Sequence, residues 1–129
     1  MRSEYYIILI LLIHFISDFL FQSRKMGRNK GKDISWLTIH VLVYSIVTTI
    51  GWSILLPINF TEIKSIFVIT FYTHWITDYI TSKGSGYCYL KMIDGKVVNK
   101  ERWEFLFWSV IGFDQFIHSL TLILTYSLI

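Results

Sequence analysis

Charge and cysteine are both scarce in this chain of 129 residues. Only 16% of its residues are Asp, Glu, Lys or Arg, against roughly 25% in a soluble domain. That leaves too few polar side chains to clothe the outside of a water-soluble fold. The one cysteine, Cys88, excludes an intramolecular disulfide and a Cys-x2-Cys metal knuckle, and suits a free thiol in a reducing compartment. No nucleic-acid recognition motif accompanies the net charge of +3. The basic residues are instead gathered in two short loops beside apolar segments, as membrane topology and contact with anionic lipid require. What the chain has in quantity is apolar: 53% of residues are hydrophobic and the mean hydropathy is +0.51. The length allows one domain.

Four apolar segments, at about 5–21, 34–56, 66–80 and 105–129, predict an all-α membrane protein: a four-transmembrane-helix bundle in a single integral membrane domain. Roughly 17–25 residues are needed for one crossing, so the first and third must recruit flanking residues or thin the bilayer locally. Arg2 before the first run suggests a signal peptide, but His14 and Asp18 interrupt that run and no small-residue cleavage site follows, which points to a retained first helix. The first and third loops each carry five Lys or Arg, whereas the second has only Lys64. This places both basic loops in the cytoplasm, with the N- and C-termini outside a bacterial inner membrane. Trp36, Trp103 and Trp108 fall near the cytoplasmic boundaries, where aromatic belts form. In the third loop, alternation around Asp94-Gly95 predicts a small β-hairpin over 87–98 that rests on the membrane or caps the bundle.

All four histidines and three of the nine acids lie inside these segments: His14 and Asp18, His40, His74 and Asp78, Asp114 and His118. Three of the histidines have an aspartate four residues away, on the same helix face. With so few acids, chance gives this arrangement on the order of 1% of the time. In each pair the carboxylate is nearer the cytoplasmic end, so one site in that half of the bundle collects all seven groups. An ionised Asp at mid-membrane costs about 2.5–3.5 kcal/mol even on the lenient insertion scale, and a divalent cation removes that cost. Imidazole with carboxylate suits Zn²⁺, or Mn²⁺ or Fe²⁺, better than Mg²⁺ or Ca²⁺. Seven ligands exceed the four of a tetrahedral zinc, so two ions, or one ion with a catalytic base, fit the count.

Two other readings use the same residues. Each pair can be a hydrogen bond that glues helices together, and carboxylate–imidazole chains also serve as proton or ion relays in transporters. Gln22 and Gln115 are candidates to hydrogen-bond the ligand side chains and hold them in place, or are polar residues at the helix boundaries. Tyr44, one turn from His40, is read as a packing residue, and so is the series Thr70, Thr73, Thr77 and Thr81.

Taken together, His14-x3-Asp18-Phe19-x2-Gln22, Leu37-x2-His40, Thr73-His74-x3-Asp78-Tyr79 and Asp114-Gln115-x2-His118 resemble a family of small bacterial and phage membrane proteins of unknown function. The resemblance covers most of the chain, the 87–98 segment excepted, and implies a membrane location and a shared polar site without supplying an activity. More distantly, the repeated His-x3-Asp is similar to the ligand sets of zinc-dependent phospholipases C and of membrane-bound metal-dependent hydrolases, though other ligands a phospholipase needs are missing.

The expected function is a metal-dependent membrane hydrolase acting at the cytoplasmic side on a phosphoester or lipid-like substrate. Asp18 or Asp78 would be the base, and Arg24, Lys25 and Arg28 would guide an anionic substrate. The alternatives are a metal-ion or proton transporter or channel, for which four short helices would have to form a homo-oligomer, and a membrane-embedded regulator that binds a partner protein through the hairpin.

Overall fold

The computed structural model describes residues 2–129, with side chains from Glu4 onward; the side chain of Arg2 lies outside the described part. Five α-helices follow in order: α1 (Arg2–Phe15), α2 (Arg24–Asn29), α3 (Ile34–Leu55), α4 (Phe60–Ile93) and α5 (Lys100–Leu128). Four long helices run alternately up and down and pack in the ring α1–α3–α4–α5, the contact between α4 and α5 being the most extensive. α1 continues into one π-helical turn, Ile16–Leu20, closed by the Phe21 N–H donating to the Ile16 carbonyl at 3.1 Å. Such turns place one extra residue per turn and often occur at functional sites; this one carries Asp18.

The helix starts follow from local chemistry. Asp33 caps α3 by accepting from the Ser35 N–H at 2.8 Å. Asn59 and Glu62 form a reciprocal capping box at the start of α4, which satisfies two otherwise orphan donors. That box starts the helix at Phe60, six residues before the apolar run predicted it. Ser23 caps α2 and Asn99 caps α5.

The predicted hairpin is absent. Residues 87–93 continue α4 as helix, and no strand occurs among the described residues. The turn at Asp94-Gly95 is real, with the Lys96 N–H donating to the Asp94 carboxylate at 3.0 Å, but it joins two helices. An isolated two-stranded ribbon is marginal, whereas a helix satisfies its own backbone, and α5 supplies packing: Tyr87 meets Trp103 edge-on with ring centroids 5.7 Å apart, and Tyr89 lies 6.3 Å from Phe107. Their partners Trp103 and Phe107 lie four residues apart, on one face of α5.

The interior is more polar than the exterior. Among the described residues 14 buried side chains are polar or charged and 10 are apolar, while large apolar side chains stand exposed along every long helix. Ile8, Leu12 and Phe15 mark the outer stripe of α1, Leu42, Ile46 and Ile50 that of α3, Val68, Tyr72 and Ile76 that of α4, and Phe116, Leu120 and Leu124 that of α5. Two helices, α3 and α5, are long and apolar enough to cross a membrane. At the end away from the basic loops an apolar cluster of Ile10, Ile13, Trp52, Leu56, Ile66 and Leu122 closes the bundle.

α1 and α3 approach most closely at Gly51, where an added Cβ would lie 3.0 Å from Ile13 Cγ2 and 3.1 Å from its Cδ1. Gly51→Leu should therefore overpack this crossing and destabilise the fold by about 1–3 kcal/mol. Thermal unfolding in a fixed detergent measures this, and an unchanged midpoint would mean the two helices can separate at no cost.

Candidate metal centre

The bundle axis collects the predicted groups. His14 comes from α1, Asp18 from the π turn, His40 from α3, His74 and Asp78 from α4, and Asp114 and His118 from α5; all are buried. Because the four helices form a closed ring, each points one inner face at the same point, and the polar residues share that face.

Four donor atoms stand out by their spacing. His40 Nε2 lies 3.1 Å from Asp18 Oδ1 and 3.2 Å from Asp78 Oδ2. His74 Nε2 lies 3.5 and 3.7 Å from the same two oxygens, and the two Nε2 atoms are 3.2 Å apart. Ligands about 2.0–2.1 Å from a tetrahedral zinc are separated by roughly 3.3–3.4 Å. Five edges of this four-atom set bracket that value. Two imidazole nitrogens and two carboxylate oxygens converging this closely are stabilised by positive charge, which a shared proton, a cation or a neighbouring ammonium can supply. The buried groups could hold a metal ion in three overlapping combinations: Asp18 with His40 and His74, His74 with Asp78 and His118, and His14 with Asp18 and His118.

The remaining predicted residues sit around this set in unequal ways. His14 is hydrogen-bonded at both nitrogens, Nδ1 to the Tyr44 hydroxyl and Nε2 to Gln115 Oε1, each at 3.1 Å. The Gln115 amide nitrogen donates to Asp18 Oδ2 and Asp114 Oδ2, both at 3.0 Å. One side chain thus ties together His14, Asp18 and Asp114. His118 Nδ1 lies 3.4 Å from Asp114 Oδ2 and its Nε2 lies 3.8 Å from Asp78 Oδ1. Thr81 donates to the other oxygen of Asp114, so one member of the threonine series does touch the site. Thr70, Thr73 and Thr77 bond only to their own helix. Gln22 makes no hydrogen bond among the described residues; its amide packs against Gly27.

Besides Thr81, two more residues belong to the site that the sequence did not assign to it. Tyr44, expected to be a packing residue, is fully buried and stacks on His74 with ring centroids 3.7 Å apart. His118 stacks on His74 at 4.0 Å, so this imidazole is held by rings, and its Nδ1 has no hydrogen-bond partner. Lys30 is the greater surprise. Its Nζ donates to Asp78 Oδ2 at 2.8 Å. Burial alone would lower the pKa of this ammonium, but the carboxylates of Asp78 and Asp18 overcome that and raise it above the usual lysine value. The loop carrying Lys30 lies close to α4 at Gly31, where a Cβ would meet the Ser82 carbonyl oxygen at 2.8 Å. In the sequence Lys30 is one of five basic residues in the first loop, with no local signal that sets it apart.

The carboxylates form the floor of a cleft of about 940 Å³ between the π turn, the Gly27–Lys32 segment, the C-terminal part of α4 and the N-terminal part of α5. Asp18, Asp78, Asp114 and Gln115 line it; the four histidines do not. Arg28 lines the cleft as expected of a guiding residue, but Arg24 and Lys25 do not, and Lys25 Nζ sits 4.8 Å from the Trp36 ring centre instead.

A buried polar bundle with these motifs defines a class, and comparison gives it a place. The family described as "Protein of unknown function (DUF3307)" matches residues 6–129, and the chain belongs to it. No curated protein and no solved structure matches the chain.

Removing the ammonium leaves Asp78 short of positive charge. In chelator, Lys30→Met should lose about 3 kcal/mol, the lower end for breaking a buried ion pair, and added Zn²⁺ should recover much of the loss. Gly31→Ala should have a similar effect by pushing the loop off α4. Melting curves with and without chelator decide this, and wild-type behaviour of both variants in chelator would show the ion pair to be dispensable.

Proposed function

We propose that the protein is a divalent-metal-dependent hydrolase, embedded in the membrane by four helices, that acts on a phosphoester or lipid-like substrate at the cytoplasmic side. The observation that carries this reading is the four-atom donor set, whose two carboxylates line an accessible cleft while its two imidazoles are buried behind them. Two histidines and two aspartates suit Zn²⁺ first, with Mn²⁺ and Fe²⁺ as alternatives. Bound there, the ion would polarise a phosphoryl oxygen and lower the pKa of a water.

The residues divide the remaining work. Asp18 and Asp78 each give one oxygen to the donor set, which leaves Asp114 as the cleft-lining carboxylate that can accept a proton from the attacking water. His118 faces Asp114 at hydrogen-bonding reach of a small shift and can stabilise it afterwards. Tyr44 and Gln115 hold His14, and Gln115 holds Asp18 and Asp114, so the carboxylates keep their orientation. Hydrolysis then places the water oxygen on phosphorus, releases the alcohol with one proton, and leaves the phosphate on the cleft side.

The outward apolar stripes on all four long helices favour four crossings, since large contiguous apolar surface is not left facing water, while the orientation rests on the charge of the two basic loops. α1 with its π turn is short for a crossing. α4, at 34 residues, is about 51 Å long and exceeds the roughly 30 Å hydrocarbon core, so its C-terminal part and the facing part of α5 extend into the headgroup zone. The apolar cluster of Ile10, Trp52 and Leu122 at the far end favours a site open on one side over a transporter or channel. The partner-binding regulator loses the hairpin on which it depended.

Metal analysis of the purified protein should find close to one ion per chain, and His74→Ala or Asp78→Asn should reduce it at least about tenfold. Chelator should abolish phosphoester hydrolysis. Protein without stoichiometric metal would end the hydrolase reading. For topology, in a Cys88→Ser background, a membrane-impermeant thiol reagent on intact cells should label Thr61→Cys and spare Lys96→Cys. The reverse pattern would invert the orientation.

A further inference from the structure

The cleft has two walls of different chemistry, and together they describe its occupant. One wall and the rim are cationic: Arg28, Lys30 and Lys32 come from the α2–α3 loop region, and Lys83 comes from α4. Lys30 is paired with Asp78 and Lys83 lies over the Tyr79 ring at 3.7 Å. Among the described residues neither Arg28 nor Lys32 has a carboxylate partner within ion-pair distance, although both are exposed and free to find one. The only acids lining the cleft are the three floor aspartates. Four cations against three carboxylates leave the cleft lining with a net positive charge before any metal ion is counted. A phosphate carrying one or two negative charges would offset it.

The rest of the lining is largely apolar and long. Leu90 and Ile93 of α4 and Phe107, Val110 and Ile111 of α5 all line the cleft. From Asp78 to Ile93 the helix rises about 22 Å, several times the size of a phosphate group. Leu90 and Ile93 are more than half exposed, an unfavourable position for aliphatic side chains unless something apolar covers them. A soluble phosphoester would use the rim and leave this wall bare; a lipid without phosphate would use the wall and leave Arg28 and Lys32 bare.

We infer that the cleft binds a phosphate-bearing lipid, its phosphate between the floor and the cations Arg28, Lys30 and Lys32, and its hydrocarbon chain along the wall formed by Leu90, Ile93, Phe107 and Val110. This deepens the hydrolase reading by naming the substrate class and rests on it only for the fate of the bound molecule. Arg28 and Lys32 contact the phosphate, and Lys30 bridges the phosphate and Asp78.

The test is binding, not turnover. The full chain is purified in a maltoside detergent, which contributes no phosphate, and its metal content is measured on the same sample. Three probes are titrated by isothermal calorimetry: a monoacylglycerol phosphate, the same monoacylglycerol without phosphate, and glycerol phosphate without the chain. The phosphate-bearing lipid should bind at least about tenfold more tightly than either fragment, as charge-assisted contacts and apolar burial both contribute. Arg28→Gln with Lys32→Gln, both exposed and so harmless to folding, should erase the preference for phosphate. Val110→Asp should erase the preference for the chain, and Leu90→Ser provides a milder version if Val110→Asp does not fold. Equal binding of glycerol phosphate would make this a site for soluble phosphoesters, equal binding of the phosphate-free lipid would make it a bare apolar groove, and no binding would remove the site; each overturns the inference. Loaded protein that fails to bind the lipid leaves the metal reading intact, and metal-free protein that binds it overturns only the hydrolase.

Discussion

A carboxylate buried in an apolar bundle must be met by positive charge, and Asp78 is where this protein meets that demand most completely. One of its oxygens accepts from Lys30 at 2.8 Å and lies 3.2 Å from His40, while the other faces His118 at 3.8 Å. Three helices and a loop therefore converge on one side chain. The loop folds inward because Gly31 lets it lie against the α4 backbone, and α5 follows because Asp114 is tied to α4 through Thr81 and to the π turn through Gln115 and Asp18. Burying an unpaired carboxylate costs several kcal/mol. The convergence is thus an energetic requirement of placing aspartate there, and it also builds the site.

The same requirement explains the asymmetry along the bundle. Toward the basic loops the interior is carboxylate, imidazole and amide, and it opens into the cleft. Through the middle it is hydroxyl: Ser17 donates to the Ile13 carbonyl and pairs with Thr48 at 2.9 Å. At the far end Ile10, Trp52, Leu56 and Leu122 fill the axis. Polarity thus falls from one end to the other. Such a gradient lets charged groups reach solvent at one face while the rest of the interior stays packed.

Much of this was legible in the sequence, and the limits have physical causes. The four-residue His/Asp spacing shows which faces of three helices look inward because helical periodicity is rigid, so those six groups meet, and His40 joins them from α3. The carboxylates were expected nearer the loops than the imidazoles, and they do line the cleft while the histidines do not. Helix ends were harder: α4 runs from Phe60 to Ile93 where 66–80 was expected, since Thr, Lys and Gly at its margins resemble loop residues until α5 is there to pack against them. Tyr87, Tyr89 and Ile93 alternate as in a strand, yet Tyr87 reaches Trp103 and Tyr89 reaches Phe107 from a helix. Lys30 could not be separated from Lys25 or Lys32 by any local signal, because what distinguishes it is a contact 48 residues away.

The number of ions illustrates how geometry revises a count. Seven ligand-type side chains suggested two metals, or one with a base. Hydrogen bonds now take several of them out of contention: His14 is used at both nitrogens, by Tyr44 and Gln115, and Asp114 is used at both oxygens, by Thr81 and Gln115. Asp18 keeps only Oδ1 for the axis, because Gln115 holds Oδ2. The four atoms directed at one another belong to Asp18, His40, His74 and Asp78, the number a single tetrahedral ion takes; the Asp78 oxygen among them also accepts from Lys30, so an ion there would share that oxygen with the ammonium. His118 stands apart from them, with neither ring nitrogen in a hydrogen bond, beside the carboxylate that the proposed reaction would protonate. One ion with an adjacent Asp114–His118 pair is therefore a better reading of these contacts than two ions.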